Sequence, residues 1–227
     1  MITLYQFAAS PFCDKIRRVL RYKKIPFAVH EWPITEIGGI AEKNPAGKLP
    51  IAEIDGQTVS DSTDIALELE KRHPEPRLLP AAPADRARVL ALEDWADESL
   101  YFYEMTTRFG DADFASNVGK LIPPEMHASL GPMLKEMLKT TTVTQGTGRK
   151  SPDQLARDVD RLFGAIEDMQ AATGFVVGTE LSLADIAIAS QAECIGDSTI
   201  GKQVLAARPR VAAYFRRVDE LTQADRV

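Results

Sequence analysis

The sequence predicts an α/β N-terminal domain followed by an all-α C-terminal domain. Three observations carry this reading. Strand-like and helix-like runs alternate up to about residue 73. Four prolines then fall within the eleven residues 73–83, and proline both lacks a backbone donor and disfavours helix in the residue before it. Beyond that segment, apolar residues recur at helical spacing and strand-like runs disappear. The expected organisation is a first domain at 1–73, a proline-rich linker at 74–84, and a helical domain at 85–227. An irregular insertion is expected at about 109–151.

The first domain reads as βαβ, a weak α, then ββα. Residues 2–7 are a short β-rich run, and Ser10-Pro11 supplies a helix N-cap and a first-turn proline. Phe12, Ile16, Val19 and Leu20 recur at helical spacing, and Lys23-Lys24 close that helix with charges that suit its dipole. Residues 27–32 form a second strand. Gly38-Gly39 makes any helix over 34–43 poor. The runs 51–54 and 57–60 flank Asp55-Gly56, the two-residue signal of a tight hairpin. Ile65, Ala66, Leu67 and Leu69 complete the last helix of the domain.

In the second domain a long helix is expected from Asp85 to about Arg108, with Val89, Leu92, Trp95, Ala96 and Leu100 near one stripe. The stretch 110–150 reads as irregular apart from a short helix around 133–138. Leu155, Val159, Leu162, Phe163, Ile166 and Met169 mark another helix. Ser182 and Asp185 form a capping box for the next, with Leu181 placed to pack on Ile186. Pro209 opens the last helix, with Val211, Tyr214, Phe215 and Val218 inward.

Composition narrows the function classes. The chain has 227 residues, 44% hydrophobic and 26% charged, enough for a real core without staples. Its 27 basic and 33 acidic residues leave a net charge of −6, which argues against a nucleic-acid surface. Residues 1–80 balance at 11 of each sign, so the whole excess falls in the remainder. No apolar run approaches the roughly 18 residues that span a bilayer, and no basic leader precedes the first apolar residues. A cytoplasmic protein with no membrane partner is expected. With Cys13 and Cys194 alone, no disulfide framework is available. His30, His73 and His127 have no metal-ligand spacing, so no metal is expected, and residues 145–150 are too short and wrongly placed for a phosphate loop.

The chemistry-bearing residues sit where strands meet helices. Ser10-Pro11-Phe12-Cys13 joins the first strand to the first helix. Gly47-Lys48-Leu49-Pro50 precedes the third strand, and Asp61-Ser62 joins the hairpin to the last helix of the domain. A helix that begins after Ser10 exposes unpaired N–H groups and the positive end of its dipole, which favour a thiolate over a thiol. Ser10 also reads as an ordinary N-cap, Asp61-Ser62 as a turn and cap, and Pro50 as a plain loop proline. Cys13, in the first turn, reads either as a small buried hydrophobe or as a redox thiol.

With these motifs in this order, the chain resembles the cytosolic glutathione S-transferases of serine type, bacterial-like, with an extended helical C-terminal domain. The resemblance implies a thioredoxin-like N-terminal domain, a homodimer, and glutathione as co-substrate with a small hydrophobic electrophile as its partner. It implies a role for Ser10 in stabilising the bound thiolate, with Tyr5 as the rival donor. Leu49, before a cis Pro50, would hold the cysteinyl backbone of glutathione; Asp61 and Ser62 its γ-glutamyl end; Lys48 its glycyl carboxylate. Phe12 is expected with them among the glutathione-binding residues. Tyr101, Tyr103, Met105 and Arg108 lie where the family lines its electrophile pocket. Two other functions stay open: a glutathione-dependent thiol oxidoreductase using Cys13, and a glutathione-binding module without turnover.

Overall fold

The computed structural model describes residues 1–224; the last three positions of the expected C-terminal domain, 225–227, lie outside the described residues. Four strands, β1 (Ile2–Gln6), β2 (Phe27–Glu31), β3 (Ile51–Ile54) and β4 (Gln57–Ser60), form one sheet in the order β2-β1-β3-β4. β1 and β2 are parallel, while β1–β3 and β3–β4 are antiparallel. Side chains alternate along β1, so Ile2, Leu4 and Gln6 are buried while Thr3 and Tyr5 point to the other face. Asp55 and Gly56 both adopt positive φ, at 51° and 84°, as a two-residue hairpin of this twist requires.

Helices α1 (Pro11–Tyr22) and α3 (Ser62–Arg72) bury Ile16, Val19, Leu20, Ile65 and Leu69 against Leu4, Ala52 and Ile54 of the sheet. The weak helix expected at 34–43 is a 3-10 segment, Ile34–Gly39, followed by the single turn α2 (Ile40–Lys43). The linker is anchored along its length. Lys23 Nζ donates to the His73 and Pro76 carbonyls at 2.8 and 2.7 Å, and Glu70 Oε1 accepts from the Leu78 and Leu79 amides.

Helix α4 (Pro83–Trp95) starts two residues before the expected Asp85, inside the expected linker, because Pro83 fits the first helical position. It continues through a π turn, Ala96–Leu100, into α5 (Tyr101–Arg108). The insertion expected to be irregular over 109–151 is largely helical: after α6 (Phe114–Asn117) and short 3-10 turns comes the 19-residue α7 (His127–Gln145). The polar run that argued against a helix there stays helical by local bonding. Thr141 Oγ1 donates to the Met137 carbonyl at 2.9 Å and Thr142 Oγ1 to that of Lys139 at 3.1 Å. Gly146, at φ 125°, ends it. Then follow α8 (Pro152–Gln170), α9 (Leu183–Gly196), α10 (Thr199–Ala207) and α11 (Pro209–Thr222). Among the described residues no helix is long and apolar enough to cross a membrane.

α9 runs through the middle of the helical domain and is buried on all sides. Its capping box forms as expected. Asp185, fully buried, accepts from the Ser182 amide and hydroxyl at 2.8 and 2.5 Å, the Val176 amide at 2.9 Å and Tyr214 OH at 2.6 Å.

α1 lies between the sheet and this helical mass, and charges hold it there. Lys15, fully buried, is 2.6 Å from Glu93 Oε1 and 2.5 Å from Asp97 Oδ2. Arg18, also fully buried, reaches Asp14, Glu193 and Asp219 at 2.5, 2.5 and 2.7 Å. Removing one partner of such a pair leaves the others buried and uncompensated, at a cost of about 3–5 kcal/mol. Lys15→Met should therefore lower the unfolding free energy measured by urea denaturation by an amount in that range. A loss under about 1 kcal/mol, the level of an exposed pair, would show that Lys15 carries no such load.

Candidate functional site

The strand register gathers the three motif loops. Tyr5 pairs with Ile51, and Ile51 pairs with Ser60. The exit of β1 toward Ser10, the entry to β3 from Leu49-Pro50, and the exit of β4 into Asp61-Ser62 therefore open at one end of the sheet. The Leu49–Pro50 peptide is cis.

Ser10 is the N-cap of α1, with extended φ/ψ of −80° and 126°. Its Oγ accepts from the Cys13 amide at 3.5 Å, the outer limit of a hydrogen bond. Among the described residues the Ser10 hydroxyl donates to nothing. Pro11 has no amide, so the first turn presents few N–H groups, and the cap hydroxyl is the mobile donor at this helix end. Phe12 packs edge-on against Tyr101, with ring centroids 4.9 Å apart.

Cys13 turns inward. It is fully buried, its Sγ accepts from the Phe7 amide at 3.5 Å, and burial pushes its thiol up to about 11. Cys194, on α9, is buried too and raised by the same cause. Tyr5 sits on the sheet face opposite α1, with its ring 5.0 Å from that of His30 and 6.1 Å from that of Trp32 and the Lys43 ammonium 4.5 Å above it. The fold thus separates the three rival residues: one at the helix start, one in the core, one behind the sheet.

Asp61 caps α3 from a left-handed conformation, φ 78° and ψ 132°, that a non-glycine residue adopts at a cost of about 1–3 kcal/mol. Its Oδ1 accepts from the Thr63 and Asp64 amides at 2.8 and 3.4 Å. Ser62 is buried, with Oγ 3.5 Å from Asp97 Oδ2. Lys48 is exposed, and its carbonyl accepts from the Asn44 side chain at 2.8 Å.

The α5 candidates divide. Tyr101, Met105 and Arg108 follow helical i, i+4, i+7 spacing, and the outer two touch the loop that carries Ser10. Tyr101 meets Phe12, and Arg108 Nη1 donates to the Ala9 carbonyl at 3.2 Å. Arg108 is also 3.0 Å from Glu104 and 3.2 Å from Asp197. Burial pushes the Tyr101 phenol up to about 12. Tyr103 belongs elsewhere: its OH donates to Asp158 of α8 at 3.1 Å and accepts from Lys150 at 2.7 Å.

Sequence reasoning missed Asp97, in the π turn directly behind Asp61-Ser62. Burial raises its carboxyl to about 6, opposed by Lys15 and reinforced by Glu93 and Asp61. Its i+4 spacing from Glu93 was the available signal, but a charge pair on a helix ordinarily reads as a solvated face.

Two outcomes follow from these geometries. A disulfide reagent at mildly alkaline pH should react slowly with both cysteines in the native protein and fully after unfolding; rapid native labelling of Cys13 would restore the reading as a glutathione-dependent thiol oxidoreductase. Between about pH 4 and pH 6 the unfolded chain has released the Asp97 proton while the folded one retains it. Stability should therefore fall as pH rises through that window. Asp97→Asn should lose that component of the slope, measured as unfolding free energy against pH.

Comparison with known proteins agrees with this arrangement. Residues 4–77 match the N-terminal domain of glutathione S-transferase, and residues 121–221 match its C-terminal domain. The second match takes in most of the stretch that the sequence left unplaced. Glutathione S-transferase theta-1 of Rattus norvegicus is 27% identical, over 99% of this chain and 85% of its own length. A glutathione S-transferase of Pseudomonas putida is 24% identical, over 97% and 88%. Among solved structures, a glutathione S-transferase from Rhodospirillum rubrum F11 superposes with a TM-score of 0.71 at 22% identity, covering 96% of this chain and 88% of the other. On these matches, and on a mixed four-stranded sheet joined to a helical domain, the chain belongs to the glutathione S-transferase family.

Proposed function

We propose that this enzyme conjugates glutathione to a small electrophile, with the Ser10 hydroxyl donating to the bound thiolate. The observation that carries the reading is the Ser10 hydroxyl itself: it caps α1 through a bond at the limit of range and has its proton uncommitted. A thiol of the cysteine type has a pKa near 8.5, and lowering it by about two units requires roughly 2.7 kcal/mol of preference for the thiolate. A hydrogen bond to a charged group contributes about 1.5–3 kcal/mol, and the helix end adds to it.

In this reading the Leu49 backbone pairs with the cysteinyl part of glutathione. The free oxygen of Asp61 faces the γ-glutamyl ammonium, and Ser62 at the start of α3 takes the adjacent carboxylate. Lys48 stands available for the glycyl carboxylate. Tyr101, Met105 and Arg108 form the electrophile side, with Phe12 on the glutathione side packed against Tyr101. Tyr103, committed to Asp158 and Lys150, drops out of that set. The buried, upward-shifted Cys13 gives the oxidoreductase alternative no accessible thiolate. A homodimer in the cytoplasm with no nucleic-acid or membrane partner completes the proposal.

Glutathione at a hundredfold excess over its dissociation constant should stabilise the fold by about 2.7 kcal/mol, read as a rise in melting temperature. No rise at about 10 mM, a ceiling well above any useful dissociation constant, refutes glutathione binding. Conjugation to 1-chloro-2,4-dinitrobenzene tests the chemistry. Ser10→Ala should move the apparent pKa of kcat/KM up by about one to two units and slow the neutral-pH rate roughly tenfold or more. Ser10→Gly, which keeps most of the cap energy, should show the same shift. An unshifted profile in both variants would overturn the role of Ser10.

A further inference from the structure

A groove of about 410 Å³ runs between the end of α8 and the side of α11. Gln170, Ala171 and Gly174 line one side, and Arg210, Ala213 and Arg217 the other. Gly174, at φ 87°, takes the chain away from α8 and leaves a bare stretch of backbone opposite α11. Arg217 is fixed against that stretch. Its guanidinium lies 4.3 Å over the Phe175 ring, and Nη1 donates to the Gly174 carbonyl at 3.3 Å. A Cβ at position 174 would fall 2.7 Å from the same Nη1, so the absence of a side chain there leaves the cation its place. The guanidinium has five N–H donors, and the remaining ones are open to a ligand.

The charge along the groove is unmatched. Arg208, the cation before it, pairs with Asp160 and Glu167 at 2.6 and 3.1 Å. Among the described residues Arg210 and Arg217 meet no carboxylate, and Arg210 has no hydrogen-bond partner either, in a chain of net charge −6. Residues 210, 213 and 217 share one helix face, and seven residues of helix rise about 10.5 Å. Both arginine side chains lean toward the N-terminus of α11, as helical side chains do, so the two cations keep that separation. A partner helix repeats it between its own positions i and i+7. An extended segment, at about 3.3 Å per residue, places side chains of one face roughly 6.6 or 13.2 Å apart and matches neither cation pair. Ala171, Arg210, Ala213 and Arg217 are all exposed, so a small molecule would stay mostly in water, whereas pockets for small ligands bury about 70–90% of them. An anionic bilayer calls for a broader cluster, about 4–8 cations, than the three exposed arginines of α11.

We propose that this groove is a docking surface for an acidic helix of another protein, one with carboxylates at i and i+7 and a small residue between them. The carboxylates pair with Arg210 and Arg217, and the small residue lies over Ala213, where side chains without bulk let two helices approach closely. Because both pairs stay at the edge of solvent, the contact is of modest affinity and weakens with salt. The complementary charge speeds encounter and turns away basic partners. None of Ser10, Leu49 and Asp61 lines the groove, so a docked helix leaves the candidate glutathione site open, and the inference stands apart from the role of Ser10.

The test uses two fluorescein-labelled alanine–glutamine peptides of about 20 residues, long enough to be helical, followed by fluorescence anisotropy at low salt. One carries glutamates at i and i+7; the other has the same composition with glutamates at i and i+5, on different faces. The first should bind more tightly. Arg210→Gln and Arg217→Gln should each weaken it by about two- to fivefold, the order of one exposed charge pair, and bring the two peptides to similar affinity. Arg161→Gln, which removes an exposed arginine outside the groove, should leave binding unchanged. The substituted side chains are exposed, so all three variants should melt with the unmodified protein. Equal affinity for both peptides, full binding in the Arg210→Gln, Arg217→Gln double variant, or no binding up to about 1 mM peptide would each overturn the proposal. Displacement of the peptide by inorganic phosphate, but not by chloride of equal ionic strength, would overturn it in favour of a simple anion site. Sedimentation of the unmodified protein, and not the double variant, with phosphatidylglycerol vesicles would overturn it in favour of a membrane surface.

Discussion

The arrangement depends on how α1 is buried. A charge taken out of water costs several kcal/mol unless it is paired and hydrogen-bonded, and this helix brings Lys15 and Arg18 to zero exposure. Arg18 takes one partner from its own helix; its remaining carboxylates, and both of Lys15's, come from the other domain: Glu93 and Asp97, Glu193 and Asp219. The first helix can keep those cations buried only with the helical domain in place. Its N-terminus is then fixed as well, because Arg108 reaches across to the Ala9 carbonyl one residue before the cap.

The sheet supplies the second constraint. Antiparallel pairing of β3 with both β1 and β4 sends three chain segments out of the same end. Each then meets a different local demand: a helix start at Ser10, a cis bond before Pro50, and a left-handed residue at Asp61. The conformation at Asp61 is costly for a residue with a Cβ, and the two amide bonds to its carboxylate offset part of that cost. A glycine would relax the backbone there and remove the carboxylate.

Much of this was legible in the sequence where one local rule decides the structure. Asp55-Gly56 fixed the hairpin, Ser10-Pro11 the start of α1, and Ser182 with Asp185 the capping box of α9. The misses arose where tertiary contacts overrule local pattern. The threonines at 140–142 argued against helix, yet the Thr141 and Thr142 hydroxyls bond back along α7. Nothing in the sequence marks Arg18 and Lys15 as buried, because most of their partners are far away along the chain, 78 residues for Lys15 and Glu93. Tyr103 shares a helix with Tyr101 but points to Asp158, since a two-residue step on a helix changes its face.

The charge asymmetry between the domains takes on a different meaning once these pairs are seen. A net of zero over residues 1–80 against −6 for the remainder suggests an acidic surface on the helical domain. Part of that excess is spent inside. Glu93, Asp97, Glu193 and Asp219 face the cations of α1, and Asp197 faces Arg108 and Lys120. The first four carboxylates form the receiving half of the domain interface, so they offer little to a basic partner in solution. The same pairing leaves a small cavity next to Ser10 lined by charges but with no cation to spare. Its unsatisfied groups are an N–H and a hydroxyl, those of Arg108 and Ser190.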